Sequence, residues 1–566
     1  MVSPLLQKKS STKLRISENA KDLFRAVYWE QNQSDQDSDN IARIKVSELI
    51  SKMSFYYEKI RNSVDYNEEY LLRKNSISRI LKRKLVIEGI VKTSKSEELA
   101  KHLLVELIRA GYLPNNEIPE AMIEEVGRVI EKYIKLRNHV LPKFGYSLNF
   151  NFKNSKNDNK KGGEERNEIN NWILALAASE IEAVLGRDKV KDTVVINLYQ
   201  YLVKNIKLEE DSVYERDLNI QIYLGIHRSY LKFDKDMLSL ILFKYFNSKW
   251  SSPTDADIEE IAKNITPLRQ AIDKQSAHPL SKQINKVVNR YNVFLTILVD
   301  IITDDPVGVY NTIKSDPAKF PELIKKAFNK KYKNRKSKLW RAAIRSIVYI
   351  FLTKSIFVIL LEVPATQWLG QKIEPLSLAI NVAFPPFLLF LVVFFTRISS
   401  DQNTKKIIEG VEEVAFKEKQ RKEPILLRRP VKRRNVVSFI FNLFYTITFF
   451  ITFGSVVWIL RQINFNWISV IIFLFFLAFV SFFAIRIRKT TKEFLVVEPR
   501  ENIVTFFVDF FSIPIIAVGK WLSQKFSRIN VFVFFLDFII EAPFKVFVEI
   551  AEQWTRYVRE RKEDIV

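Results

Sequence analysis

The 566-residue chain has no cysteine, which excludes disulfides, thiolate nucleophiles, Cys-ligated zinc and iron–sulfur clusters. Histidine is almost as scarce. His102, His139, His227 and His278 lie far apart, none at a zincin spacing from another His or a carboxylate, and they read as ordinary surface or core residues. The 13 glycines form no Gly-x-Gly or Walker-type spacing, so the usual backbone cradles for nucleotide phosphates are missing. Gly162-Gly163 falls in a lysine-rich stretch and carries little weight. Acid pairs such as Glu124-Glu125 and Asp304-Asp305 point to different sides of a helix, and read as a solvated face and a turn start. No cofactor, metal or catalytic residue is expected, and the chain reads as a non-enzyme.

Negative charge is also in deficit, with 64 Asp and Glu against 88 Lys and Arg, a formal net charge of +24. The position of the excess disfavours nucleic acid as a partner. Lys330, Lys331, Lys333, Arg335, Lys336, Lys338 and Arg341 precede one apolar run, and Arg428, Arg429, Lys432, Arg433 and Arg434 precede another. Cations so placed set topology and contact anionic headgroups, each worth roughly 1 kcal/mol near a membrane surface. The first residues have Lys8, Lys9, Lys13 and Arg15 but no apolar h-region, so no cleavable signal peptide is expected there.

What is abundant changes near residue 340, where lysine-rich helical sequence gives way to long Phe-, Ile- and Val-rich runs. The expected fold is all-α: a cytosolic helical bundle and helix-hairpin region followed by a polytopic α-helical membrane domain. Residues 1–144 read as a first helical domain, with Leu103, Leu104, Leu107 and Ile108 at helical spacing. Residues 145–171 read as a flexible linker, and 172–328 as a second helical domain of hairpins, with a tetratricopeptide-like stack as one form of it. Residues 329–502 carry four runs near the ~20 residues needed to cross a bilayer. These are Ala342 to Leu361, Leu376 to Thr396, Val436 to Leu460 and Trp467 to Ile485. Alternating loop charge puts both termini in the cytosol. Heavy use of Lys, Asn, Ile and Phe points to an AT-rich bacterial genome, and so to the bacterial inner membrane.

Residues 503–566 read as two amphipathic or re-entrant helices. Phe506-Phe507-Val508-Asp509-Phe510-Phe511 is echoed by Phe534-Phe535-Leu536-Asp537-Phe538-Ile539 at an offset of 28, each followed by a proline, Pro514 or Pro543. Asp537, Glu541, Lys545 and Glu549 recur every four residues and line one side of a helix. In-plane helices leave these charges in water. Spanning helices make Asp509, Asp537, Glu541 and Lys545 intramembrane groups together with Lys354, which lies mid-run and needs a partner or water. Pro385 and Pro386 kink the second run.

The stretch Asn197-Leu198-Tyr199 through Leu240 to Tyr245-Phe246, with His278-Pro279-Leu280 and the Phe-rich C-terminal region, resembles a polytopic membrane-protein family of small-genome bacteria. The resemblance covers residues 190 to 566 and implies no particular activity. The leading expectation is a scaffold or recruitment protein: a cytosolic helical region, bound to a protein partner, on a membrane anchor. The alternative is a transporter or channel, as a homo-oligomer, using the intramembrane charges.

Overall fold

The computed structural model describes residues 14–33, 41–64, 69–87, 96–144, 158–209, 214–372, 374–396, 401–430, 435–491, 495–497 and 503–528, with scattered residues between 547 and 561. The described residues are nearly all α-helical. The first helices are α1 (Glu18–Gln33), α2 (Glu48–Val64), α3 (Glu69–Lys82), α4 (Ser96–Arg109), α5 (Ala121–Val140) and α6 (Asp158–Leu185). Next come α7 (Lys189–Asn205), α8 (Glu215–Ser229), α9 (Lys235–Phe246), α10 (Asp255–Lys263), α11 (Ile265–Ser276), α12 (Ser281–Asp304) and α13 (Pro306–Ser315). The remainder are α14 (Phe320–Phe357), α15 (Val363–Trp368), α16 (Pro375–Phe394), α17 (Asp401–Ala415), α18 (Asn435–Gln462), α19 (Trp467–Thr491) and α20 (Ile503–Arg528). The backbone divides into a helical unit, formed within 29–203 and 213–288, and a unit bearing the apolar helices, formed within 1–28, 204–212 and 289–530.

In the helical unit α5 packs against α4, α6 and α10, and α6 against α3 and α9. The reason is periodicity: Val126, Val129, Ile130, Tyr133, Leu136 and Val140 form one buried stripe along α5. Local chemistry sets the helix starts. Asp234 accepts a hydrogen bond from Met237 N at 3.0 Å, and Thr254 with Asp257 forms a capping box. Buried Lys74 joins α3 to the start of α9 through Asp234 and Asp236. The linker expected at 145–171 is in part helix, because α6 begins at Asp158. One core runs from Ile44 to Ile272, with Ile169, Ile173, Ala177 and Ile181 of α6 inside it. The polar first turns of α6 hide a helix whose apolar stripe starts only at Ile169. Helices α7 to α12 range from 9 to 24 residues, too unequal for a uniform repeat.

The other unit has five apolar helices and a part made of more polar segments. Asp305 caps α13 through Gly308 N at 2.8 Å, with Pro306 in the first turn, so the turn expected at Asp304-Asp305-Pro306 starts a helix. The segment between the second and third apolar runs folds as α17, which Tyr291 engages through Glu413 at 2.8 Å. Ile16 bridges Phe416, and Ser17 N donates to Ala415 O at 2.8 Å. A short parallel pair, β1 (Ile206–Leu208) with β2 (Ile425–Leu427), pins the same segment in register Ile206 to Ile425. The segment from Asp401 to Leu427 is therefore a docked element of this unit.

Five helices are long and apolar enough to cross a membrane, within Pro317–Trp368, Pro375–Phe394, Val436–Gln462, Trp467–Arg488 and Phe506–Lys525. Their large apolar side chains point outward, among them Phe439, Phe444, Phe450 and Ile471. Helices apolar all round with exposed faces of this kind need lipid as solvent. Four of the five match the expected runs. The fifth is α20, the segment the sequence left between in-plane, re-entrant and spanning. It packs along α19, where a Cβ on Gly519 would sit 2.0 Å from Ala478 O.

Candidate functional site: a buried polar centre among the apolar helices

The first apolar run does not end at Leu361. Pro364 lacks the N–H that Leu360 O would accept, and its ring crowds that carbonyl. The chain answers with a π turn at Val358–Glu362, in which Val363 N reaches back to Val358 O, and the helix then continues as α15. The extra residue has a rotational consequence. At about 100° per α-helical residue and roughly 80° through a π turn, Glu362 returns almost to the azimuth of Lys354. In an unbroken α-helix it would sit about 80° away.

Both side chains are fully buried, as is Asn381 of α16 and Ser469 of α19. Glu362 Oε1 accepts from Asn381 Nδ2 at 2.7 Å and from Ser469 Oγ at 2.6 Å. One carboxylate oxygen thus ties three apolar segments together. Thr366 Oγ1 donates to Glu362 O at 2.7 Å, and Asn466 caps α19 by accepting from Ser469 N at 2.7 Å. Pro385 and Pro386, both buried within α16, remove the usual donors to the carbonyls of Asn381 and Val382. The carbonyls so deprived lie on the turn that carries Asn381.

Three polar atoms of the centre have no hydrogen-bond partner: Glu362 Oε2, Asn381 Oδ1 and Lys354 Nζ. The Lys354 ammonium lies 3.9 Å from the Phe476 ring centroid and 5.9 Å from that of Phe357, so aromatic faces rather than water offset part of its desolvation. A buried carboxylate oxygen and a buried amide oxygen without donors can take up a proton or a small monovalent cation. Burying them unsatisfied costs free energy that the three-helix tie must offset.

Of the residues singled out from sequence, Lys354 belongs to this centre and Pro385 and Pro386 adjoin it. Asp509 is exposed on α20 and Pro514 is buried in the same helix. Asp537, Glu541, Lys545 and Pro543 lie outside the described residues. Glu362, Asn381 and Ser469 were not legible as a group. Glu362 reads as the first loop residue because hydropathy falls there, although Pro364 two residues on signals a distorted helix. His227 Nδ1 lies 2.9 Å from Tyr223 O, and burial pushes its imidazole below the ordinary value. Among the described residues no group of three or more His, Asp and Glu side chains could hold a metal ion. No family model, curated protein or solved structure matches the chain, so the buried centre rather than kinship bears on its function.

Proposed function

We propose that the protein is an integral protein of the bacterial cytoplasmic membrane, without enzymatic activity, that moves protons or a small monovalent cation through the centre built on Glu362. The observation that carries this reading is the unsatisfied Glu362 Oε2, buried with the unsatisfied Lys354 Nζ on the same apolar span. A π turn at the carboxylate supports it, since such turns concentrate at functional sites. Basic residues before the first span favour the cytosolic side for the helical unit. The test is flux in proteoliposomes under an imposed potential. Glu362→Gln, which removes the charge and keeps the shape, should cut proton or cation flux at least about tenfold, as expected for a group in the path. Unchanged flux would remove Glu362 from any transport role.

A second reading, recruitment, is favoured by the helical unit itself. It has its own continuous core and exposes Tyr56, Ile196 and Tyr245 to more than half of their surface. On this reading the apolar helices anchor a docking domain, and Glu362 is a structural tie. A flux-silent protein that crosslinks to one partner through the helical unit would establish it.

A further inference from the structure

The helical unit holds a second buried carboxylate, built on different lines. Glu180 of α6 receives Lys132 Nζ at 2.8 Å and Lys244 Nζ at 2.9 Å on Oε1. Its Oε2 receives Tyr133 OH at 2.8 Å and Trp250 Nε1 at 3.1 Å. All four acceptor directions are used, so Glu180 has no capacity left to act as a base or a ligand. What it does is hold two ammonium groups at fixed positions, Lys132 also donating to Trp250 O at 3.2 Å.

Those ammonium groups line an open cavity of about 720 Å³, within the size range of small-molecule sites. Five cations line it, Arg128, Lys132, Lys135, Arg187 and Lys244, against the carboxylates Glu125, Glu131 and Glu180. Arg187 is paired with Glu125 at 2.6 Å, and Lys135 with Asp255 at 3.1 Å and Glu131 at 3.3 Å. Arg128 is exposed and takes part in no ion pair among the described residues. The lining thus carries five cations to three carboxylates, an excess of two that Asp255 beside Lys135 reduces to one. A guanidinium fork free at the rim and ammonium groups fixed at the floor match an anion with several charged oxygens. The acids between the cations break any continuous basic stripe, which argues for a small ligand over a nucleic-acid strand.

We infer that this groove binds a small phosphate-bearing anion, gripped by Arg128 at the rim and by Lys244 and Lys132 at the floor. The site is separate from the Glu362 centre and stands whichever reading of that centre holds. The experiment is calorimetric titration of the full chain in detergent with inorganic phosphate, pyrophosphate and glycerophosphoglycerol, at low and at physiological salt. Pyrophosphate should bind saturably, more weakly as salt rises, and Arg128→Glu should weaken it about tenfold or more. Lys282→Glu, an exposed change on α12, should alter it less than about twofold, and the thermal transition of both variants should match the parent. Tight binding of pyrophosphate supports a free metabolite, and preference for glycerophosphoglycerol, with the same loss in Arg128→Glu, supports a lipid headgroup as the source. No saturable binding of any of the three, or binding indifferent to Arg128→Glu, would overturn the assignment.

Discussion

Glu362 offers a way to separate a structural tie from a functional charge, because both of its hydrogen bonds fall on one oxygen. In Glu362→Gln the amide oxygen can still accept from Asn381 and Ser469, observed at 2.7 and 2.6 Å, while the amide nitrogen replaces the oxygen that has no partner. In Glu362→Ala both donors are stranded between apolar helices. Interhelical hydrogen bonds in membranes average about 0.6 kcal/mol and reach about 1.7. Alanine should therefore cost roughly 1–3 kcal/mol more than glutamine, with a void adding to that. Lys354 loses the Glu362 charge equally in both variants, so the difference isolates the tie. Replacing Lys354 by Met in the Glu362→Gln background should then restore stability, since an uncompensated ammonium in a span costs at least ~2.5 kcal/mol on insertion scales. Reversible unfolding of the detergent-solubilised chain by increasing SDS fraction provides the measurement. A glutamine variant as unstable as alanine, or a further loss from Lys354→Met in the glutamine background, would refute the assignment of these bonds.

At the α19–α20 contact, Gly519→Val should destabilise the packing by about 1–3 kcal/mol, because the clash is with the Ala478 backbone rather than a side chain that can turn away. Gly454→Ala should be tolerated, since nothing lies within 4 Å of the added carbon; the same unfolding assay compares the two. If α20 crosses the bilayer, a cysteine at Ser527 is labelled from the same side as one at Asn464, and labelling from the side of Asp401 would place α20 in the membrane plane. In the helical unit, burial alone would raise the Glu180 carboxyl, but the charges and hydrogen bonds of Lys132 and Lys244 outweigh it and hold it below its ordinary value. A depressed carboxylate contributes stability above its unfolded pKa of about 4.3, and loses it as pH falls through the lower folded value. Unfolding followed from pH 7 down to about 3 should show this acid limb. Glu180→Gln should flatten it while lowering stability at pH 7 by about 3 kcal/mol or more, the cost of breaking a buried ion pair.

Much of the architecture follows from one-dimensional signals. The stripe of α5, the break at Asp304-Asp305-Pro306 and four of the five apolar runs are written in periodicity, turn residues and run length. Elements whose stabilisation comes from distant partners were not. Strands of three residues such as Ile206–Leu208 have no local preference strong enough to declare them, and exist because Ile425–Leu427 pairs with them more than two hundred residues away. Likewise the charged stretch from Glu409 reads as a short helix at most, and its docking shows only when Tyr291 and the segment around Ile16 are brought to it.

The sequence by itself determined that the chain is helical, that its later part needs lipid as solvent, and that thiol chemistry is closed to it, because composition, hydropathy and periodicity act over a few neighbouring residues. It also flagged Lys354, since a lone charge in an apolar run costs free energy wherever the run goes. Only the tertiary structure decided what surrounds that charge, the rings of Phe357 and Phe476. Glu362 comes near the azimuth of Lys354 through one extra residue in a π turn, and its carboxylate meets Asn381 and Ser469 only when three helices pack. Hydrogen bonds between side chains 19 and 107 positions apart leave no trace in local pattern, because their free energy depends on distances that exist only in the folded chain.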